Sequence, residues 1–255
     1  MIELKTASEL DAMRSAGRVV AEVLAALRDH ARVGVTLREL DEVAAAVLAE
    51  AGAEPVLPGT RPIREPRPFP GVLCLSVNDT IGRAPPTGAR LADGDLLSID
   101  CGARVEGRCG GAAVTVPVGT AHPDDRTLLE TTEAALTDGI AACRTGARLG
   151  DVSHAIGLVG RSSGYGIPAR LGGHGIGRDR NEAPFVANDG APGRGSPLRP
   201  GMALSLEPTF VAGGRDSYQL DRDGWALRTD DGSRCAHAAH TVAITDDGPR
   251  VLTVP

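Results

Sequence analysis

The chain has 255 residues, 42% of them hydrophobic and 2% aromatic, and a formal net charge of -6. That length buries a sizeable core and suits one or two domains. The acidic balance excludes a basic, aromatic-lined nucleic-acid surface, and no run approaches the ~18 apolar residues of a membrane span. The N-terminus, Met1-Ile2-Glu3-Leu4-Lys5, lacks a charged-then-apolar leader pattern, so a cytoplasmic protein is expected. Cys74, Cys101, Cys109, Cys143 and Cys235 form no CxxC pair and read as free thiols.

Ser8 is placed to cap a first helix, along which Met13, Ala16, Val19, Val20, Val23 and Leu24 recur at helical spacing. Thr36 and Glu39 make a capping box for a second helix over 37–51, which Gly52 closes. The prolines at 55, 58, 62, 66, 68 and 70 mark a loop. Strands are predicted at 72–77, 96–103 and 112–118, the last two joined through Val105-Glu106-Gly107. Helices follow at 124–144 and 150–161. Beyond them, glycine- and proline-rich loops alternate with strands at 202–206, 225–228, 241–244 and 251–254. Two helices followed by strands occur twice, and no linker divides the halves. One compact α+β domain over residues 1–255 is expected.

Three stretches carry the chemistry. In Gly172-Gly173-His174-Gly175-Ile176-Gly177-Arg178, a histidine sits among glycines. Imidazole carries protons or ligates metal, and glycine lets backbone approach a ligand closely. Met202-Ala203-Leu204-Ser205-Leu206-Glu207-Pro208 and Leu96-Leu97-Ser98-Ile99-Asp100 each end a strand on a carboxylate. Asp100 and Glu207, crowded without a cation, would have raised pKa values suited to acid–base work. Ser205 has no motif to support it as a nucleophile.

These stretches resemble the methionine aminopeptidase family. The likeness extends to Ile2-Glu3-Leu4-Lys5-Thr6, Met13-Arg14-Ser15-Ala16-Gly17, Cys74-Leu75-Ser76-Val77-Asn78 and Ala239-His240-Thr241, so it covers nearly the whole chain. It implies the pita-bread fold, with two pseudo-symmetric α/β halves around one central site, and the short bacterial type. It also implies a centre of two divalent metals held by two Asp, one His and two Glu. Asp100, His174 and Glu207 match three of these ligands, while Gly111 and Ala239 stand at the two bridging carboxylates. The family's two further histidines correspond to Arg83 and Asn181. In the pocket, Cys74 and Trp225 match, Arg180 replaces an aromatic residue, and Phe69 is the only aromatic in the loop over 64–70.

These departures lead to the expectation of a repurposed or pseudoenzyme homologue that has lost dinuclear metallopeptidase activity. It would bind or transform a small, anionic or amino-acid-derived molecule in the old cavity, in specialised metabolism and without a cofactor. Asp100, His174 and Glu207 would be its catalytic residues, with metal-independent acid–base chemistry. Arg83 first, then Arg180, would point into the cavity to hold an anion, alongside Cys74, Asn181, Trp225 and His237. One alternative is a weak mononuclear metalloaminopeptidase that removes N-terminal methionine, its single divalent metal held by Asp100, His174 and Glu207. A rebuilt site using His237 or Cys109 is a variant of that alternative. Another alternative is a non-catalytic module that binds a peptide or protein. Neither nucleic acid nor membrane is expected as a partner.

Overall fold

The computed structural model describes residues 2–58, 60 and 68–255. Arg64, Glu65, Pro66 and Arg67, part of the expected proline-rich loop, lie outside the described residues.

The first half begins with α1 (Ala7–His30) and α2 (Leu37–Glu50). The capping of α1 falls to Thr6, not Ser8: its hydroxyl accepts from the Glu9 amide while the Glu9 carboxylate accepts from the Thr6 amide. Ser8 lies one residue inside the helix, because the reciprocal box satisfies two free donors where Ser8 offers one acceptor. The Thr36–Glu39 box forms as the sequence implies, and Gly52 follows α2 with φ 63°. Next come β1 (Glu54–Pro55), β2 (Leu73–Val77), β3 (Thr80–Gly82), β4 (Leu96–Val105) and β5 (Arg108–Pro117). Glu106 and Gly107, both at positive φ, make the tight turn of the β4–β5 hairpin. In the sheet, β4 pairs with β1, β2 and β5, all antiparallel. Leu27, Leu40 and Leu48 of the helices pack on Leu73, Leu97 and Ile99 of the sheet to form one core.

The second half repeats that order. Helices α3 (Pro123–Ala142) and α4 (Leu149–Ser162) precede β6 (Gly172–Gly175), β7 (Glu182–Ala187), β8 (Ala203–Leu206), β9 (Thr209–Val211), β10 (Tyr218–Leu220), β11 (Leu227–Thr229), β12 (Cys235–His237), β13 (His240–Thr245) and β14 (Gly248–Val251). Five of these make a sheet in the order β14-β13-β8-β6-β7. Leu128, Leu136 and Ile156 meet Leu204, Leu206 and Ile244 in a second core. Strand β14 ends at Val251, short of the predicted 251–254, because Gly248 starts a hairpin back onto β13. Strands β1, β3, β6, β7, β9, β10 and β12 have no counterpart in the sequence pattern. All but β7 have four residues or fewer, too few for alternation to show, and β7 carries Pro184.

The halves join where β5 meets the chain between β12 and β13. Ala113 and Ala239 exchange both backbone hydrogen bonds, at 3.0 and 3.1 Å. The Thr241 hydroxyl donates to the Gly111 carbonyl (2.8 Å) and accepts from its amide (3.0 Å). No helix among the described residues is long and apolar enough to cross a membrane. The five cysteines are buried free thiols.

The glycines around His174 serve strand packing, which corrects the expectation that they admit a ligand. A Cβ at Gly173 would run into the Ser205 carbonyl of β8, and one at Gly175 into the Ala183 carbonyl of β7. Gly173→Ala should therefore destabilise the protein by about 1–3 kcal/mol. Gly111→Ala, whose Cβ meets nothing nearer than Cys101 O at 3.6 Å, should change stability by less than about 0.5 kcal/mol. Urea midpoints of the two variants check this, and equal midpoints would refute the packing argument.

Candidate active site

Asp100 comes from the first half. It lies on β4 between Cys74 of β2 and Ala113 of β5. Strand alternation sets Gly102 and its partner Gly111 on the same face, one rung along. His174 and Glu207 come from the second half. His174 pairs with Ser205 on β8, and a register shift between His174 and Gly175 turns the strand at that point. Glu207 follows β8 directly, and its carbonyl accepts from Asn188 Nδ2 at 2.8 Å.

Arg180 reaches this site from the turn between β6 and β7. Both Arg178 and Asp179 amides donate to Glu182 Oε1, at 2.8 and 3.2 Å. Glu182 Oε2 is held in turn by Lys5 Nζ at 2.6 Å, a buried pair made by the chain's one lysine. That clamp fixes the turn. The Arg180 side chain enters the site while Asn181 is exposed.

Charge is matched in two pairs. Arg180 Nη2 donates to both oxygens of Asp100, at 2.9 and 2.7 Å. Burial works against its charge, yet Asp100 more than offsets this, so the guanidinium remains a cation. His174 Nε2 lies 3.0 Å from Glu207 Oε1, which also accepts from the Ser205 hydroxyl at 2.7 Å. His174 Nδ1 faces the Gly175 carbonyl at 2.9 Å, so both ring nitrogens have acceptors. Burial alone would lower the pKa of His174, but Glu207 and that carbonyl raise it above the usual value. Burial alone would raise Glu207. The hydrogen bond and charge of His174 reverse that and hold it at about 2. The expectation of a raised Glu207 pKa is thereby corrected: the carboxylate is partnered, not crowded.

An apolar wall adjoins the charged pairs. Cys74, Leu57 and Phe69 cluster with Trp225, and the Phe69 and Trp225 rings meet edge-on with centroids 5.0 Å apart. Burial pushes the Cys74 thiol up to about 12, so it acts as an apolar side chain here. His237 sits behind Glu207 and favours its charged form, with Nδ1 2.9 Å from the Thr209 hydroxyl and 3.2 Å from the Pro208 carbonyl.

Several expectations change. Arg83, at φ 59°, is exposed and pairs with no described carboxylate, so Arg180 is the arginine that enters the site. Asn181 faces solvent because the Glu182 clamp turns it outward. Cys109 lies two rungs from Asp100, roughly 13 Å along the strand, and its Sγ donates to the Arg178 carbonyl at 3.3 Å. It therefore cannot share an ion with Asp100. Ser205, passed over as a nucleophile, is a hydrogen-bond donor to Glu207, and its register opposite His174 is invisible without the fold.

The donors do not fit two metal ions. Asp100 gives both oxygens to Arg180, and Gly111 and Ala239 have no side-chain oxygen to bridge a pair. Among the described residues, no three His, Cys, Asp or Glu side chains gather around one position. The expected ligand set of Asp100, His174 and Glu207 is thus not assembled, because Arg180 stands against the first of them.

Residues 11–246 match metallopeptidase family M24. The chain is similar to methionine aminopeptidase 1 of Mycobacterium tuberculosis (strain CDC 1551 / Oshkosh), 45% identical over 100% of this chain and 96% of the relative. It is 40% identical to methionine aminopeptidase 1 of Bacillus subtilis (strain 168), over 99% of both. The crystal structure of a methionine aminopeptidase from Thermotoga maritima superposes with a TM-score of 0.95 at 35% identity, over 100% of each chain. These full-length matches overturn the expectation of a pseudoenzyme repurposed for a small molecule. A family of metallopeptidases likewise overturns the expectation that no cofactor is involved. The chain belongs to metallopeptidase family M24 and, within it, to the methionine aminopeptidases of the pita-bread fold.

Proposed function

We propose that the protein is an aminopeptidase that removes methionine from the N-termini of peptides, in the cytoplasm, and works with a single divalent ion. All of residues 1–255 make the one domain that does this. The observation that carries the reading is the His174–Glu207 pair at 3.0 Å, set beside the apolar wall of Cys74, Phe69 and Trp225. A peptide's first side chain, if unbranched and apolar, suits that wall, and a thioether gains from the two aromatic rings. The relatives' shared name supplies the reaction class.

This chain's residues support the acid half of peptide hydrolysis. His174 holds a proton on Nε2, oriented by Glu207 and Gly175. The amine that leaves when the peptide bond breaks needs a proton, which His174 would supply from Nε2 as its hydrogen bond to Glu207 opens. Ser205 and Asn188 fix Glu207 from two sides, so the acid is pre-positioned. The second oxygen of Glu207 would be the donor for a single ion, because an imidazole that holds a proton on Nε2 cannot ligate through it. One protein donor holds a hard divalent cation weakly.

Incubating the purified protein and manganese with a peptide that begins Met-Ala, and following methionine release by mass spectrometry, tests this reading. Release is expected at about 10²–10⁴-fold below an enzyme median of roughly 10 s⁻¹, since Asn181 cannot carry a proton. His174→Ala should abolish it. No release with manganese, cobalt or iron would overturn the proposal.

The pH profile follows from the same pair. The folded pKa of His174 is raised, so its contribution to activity as an acid, and to stability, is full at low pH and is lost as pH rises through that value. The folded pKa of Glu207 is depressed, so its contribution to stability is full above about 4.5 and is lost as pH falls towards about 2. Methionine release should fall on an alkaline limb whose apparent pKa exceeds 6.5, and Glu207→Gln should move that limb to lower pH. A limb unmoved by Glu207→Gln would refute the assignment of His174.

A further inference from the structure

We infer that Arg180 is a built-in competitor for divalent cations at Asp100, so that metal can use this carboxylate only when the guanidinium leaves. The inference rests on the aminopeptidase reading for its biological sense, but not for its test. Nη2 spends its hydrogen bonds on both Asp100 oxygens, which are the atoms an ion would need. The side chain passes over Gly102, where its Nε would lie 3.7 Å from a Cβ and where Val56 leaves no room for one. Its charge also favours the ionised form of Glu207. The turn that delivers it is clamped by Glu182 and Lys5, so the guanidinium is presented rather than free to wander. On the adjoining rung, Gly111 has nothing within 3.6 Å of a Cβ, so that place can accept a side chain. A guanidinium brings one delocalised charge and planar donors, whereas a hard divalent ion brings two charges and asks for oxygen ligands. Either can neutralise Asp100, and the two cannot do so together.

Manganese titration of the full-length protein by isothermal calorimetry and electron paramagnetic resonance tests this without any turnover. Arg180→Ala should bind Mn²⁺ about 10- to 100-fold more tightly than the wild type, the span set by a charge-assisted hydrogen-bond pair. Adding Asp100→Asn should remove that gain. Adding Gly111→Asp to Arg180→Ala should tighten binding again. Arg180→Gln, which keeps the side-chain volume without the charge, should reproduce the gain should the alanine variant fail to fold. Equal Mn²⁺ affinity in the wild type and both Arg180 variants would overturn the inference, as would a gain that survives Asp100→Asn. Methionine release by the wild type stands as a separate measurement, so an inactive protein with the expected titrations would overturn only the aminopeptidase reading.

Discussion

Two carboxylates that approach one arginine from opposite halves of a protein repel each other and lose hydration, and the fold must supply positive charge to keep them there. In this chain that charge is protein-borne. Arg180 answers Asp100, and His174 answers Glu207. A half-buried charge stripped of its partner is left short of hydration, so neither pair can be half dismantled without consequence. The seam between the halves includes backbone and hydroxyl contacts at Ala113–Ala239 and Gly111–Thr241 and the pairing of β3 with β11, which hold the halves together but do not balance these charges.

The positioning of these pairs begins far from them in sequence. Lys5, before α1, neutralises Glu182, which caps the turn carrying Arg180, which meets Asp100 on the other sheet. That chain of contacts ties Lys5 to the site through two ion pairs and one carboxylate–backbone link. On the second sheet, Gly173 and Gly175 let β6 lie so close to β8 and β7 that His174 falls opposite Ser205 and within reach of Glu207. Strand packing thereby sets the geometry of the proton-bearing histidine.

Much of the architecture was legible in the sequence. The Thr36–Glu39 box, the Glu106-Gly107 turn and the apolar spacing of the first helix are local signals with local causes. Most strands of two to four residues were not legible, because a period of two cannot be read from so few positions; β8 and β11 were found from their apolar content. At the site, His174, Glu207 and Asp100 could be picked out from their strand-end settings and from likeness to a family. What those residues touch could not. Arg83 and Arg180 look equivalent as residues in glycine- or proline-flanked loops, yet one is exposed and the other ion-paired. The difference lies in the Glu182 clamp, which depends on a lysine 177 residues away. Inferring function from missing ligands alone went further astray: relatives matching end to end are named methionine aminopeptidase.

The family and the site can be reconciled if this member keeps the fold, the apolar wall and the proton-bearing histidine while an arginine takes over part of the role of metal charge. A crystal structure of the protein grown with excess manganese, with anomalous data collected at the manganese edge, tests this most directly. The account predicts the Arg180 guanidinium within about 3 Å of Asp100 and no anomalous peak on that carboxylate. A manganese ion on Asp100, with Arg180 turned out to solvent, would contradict it.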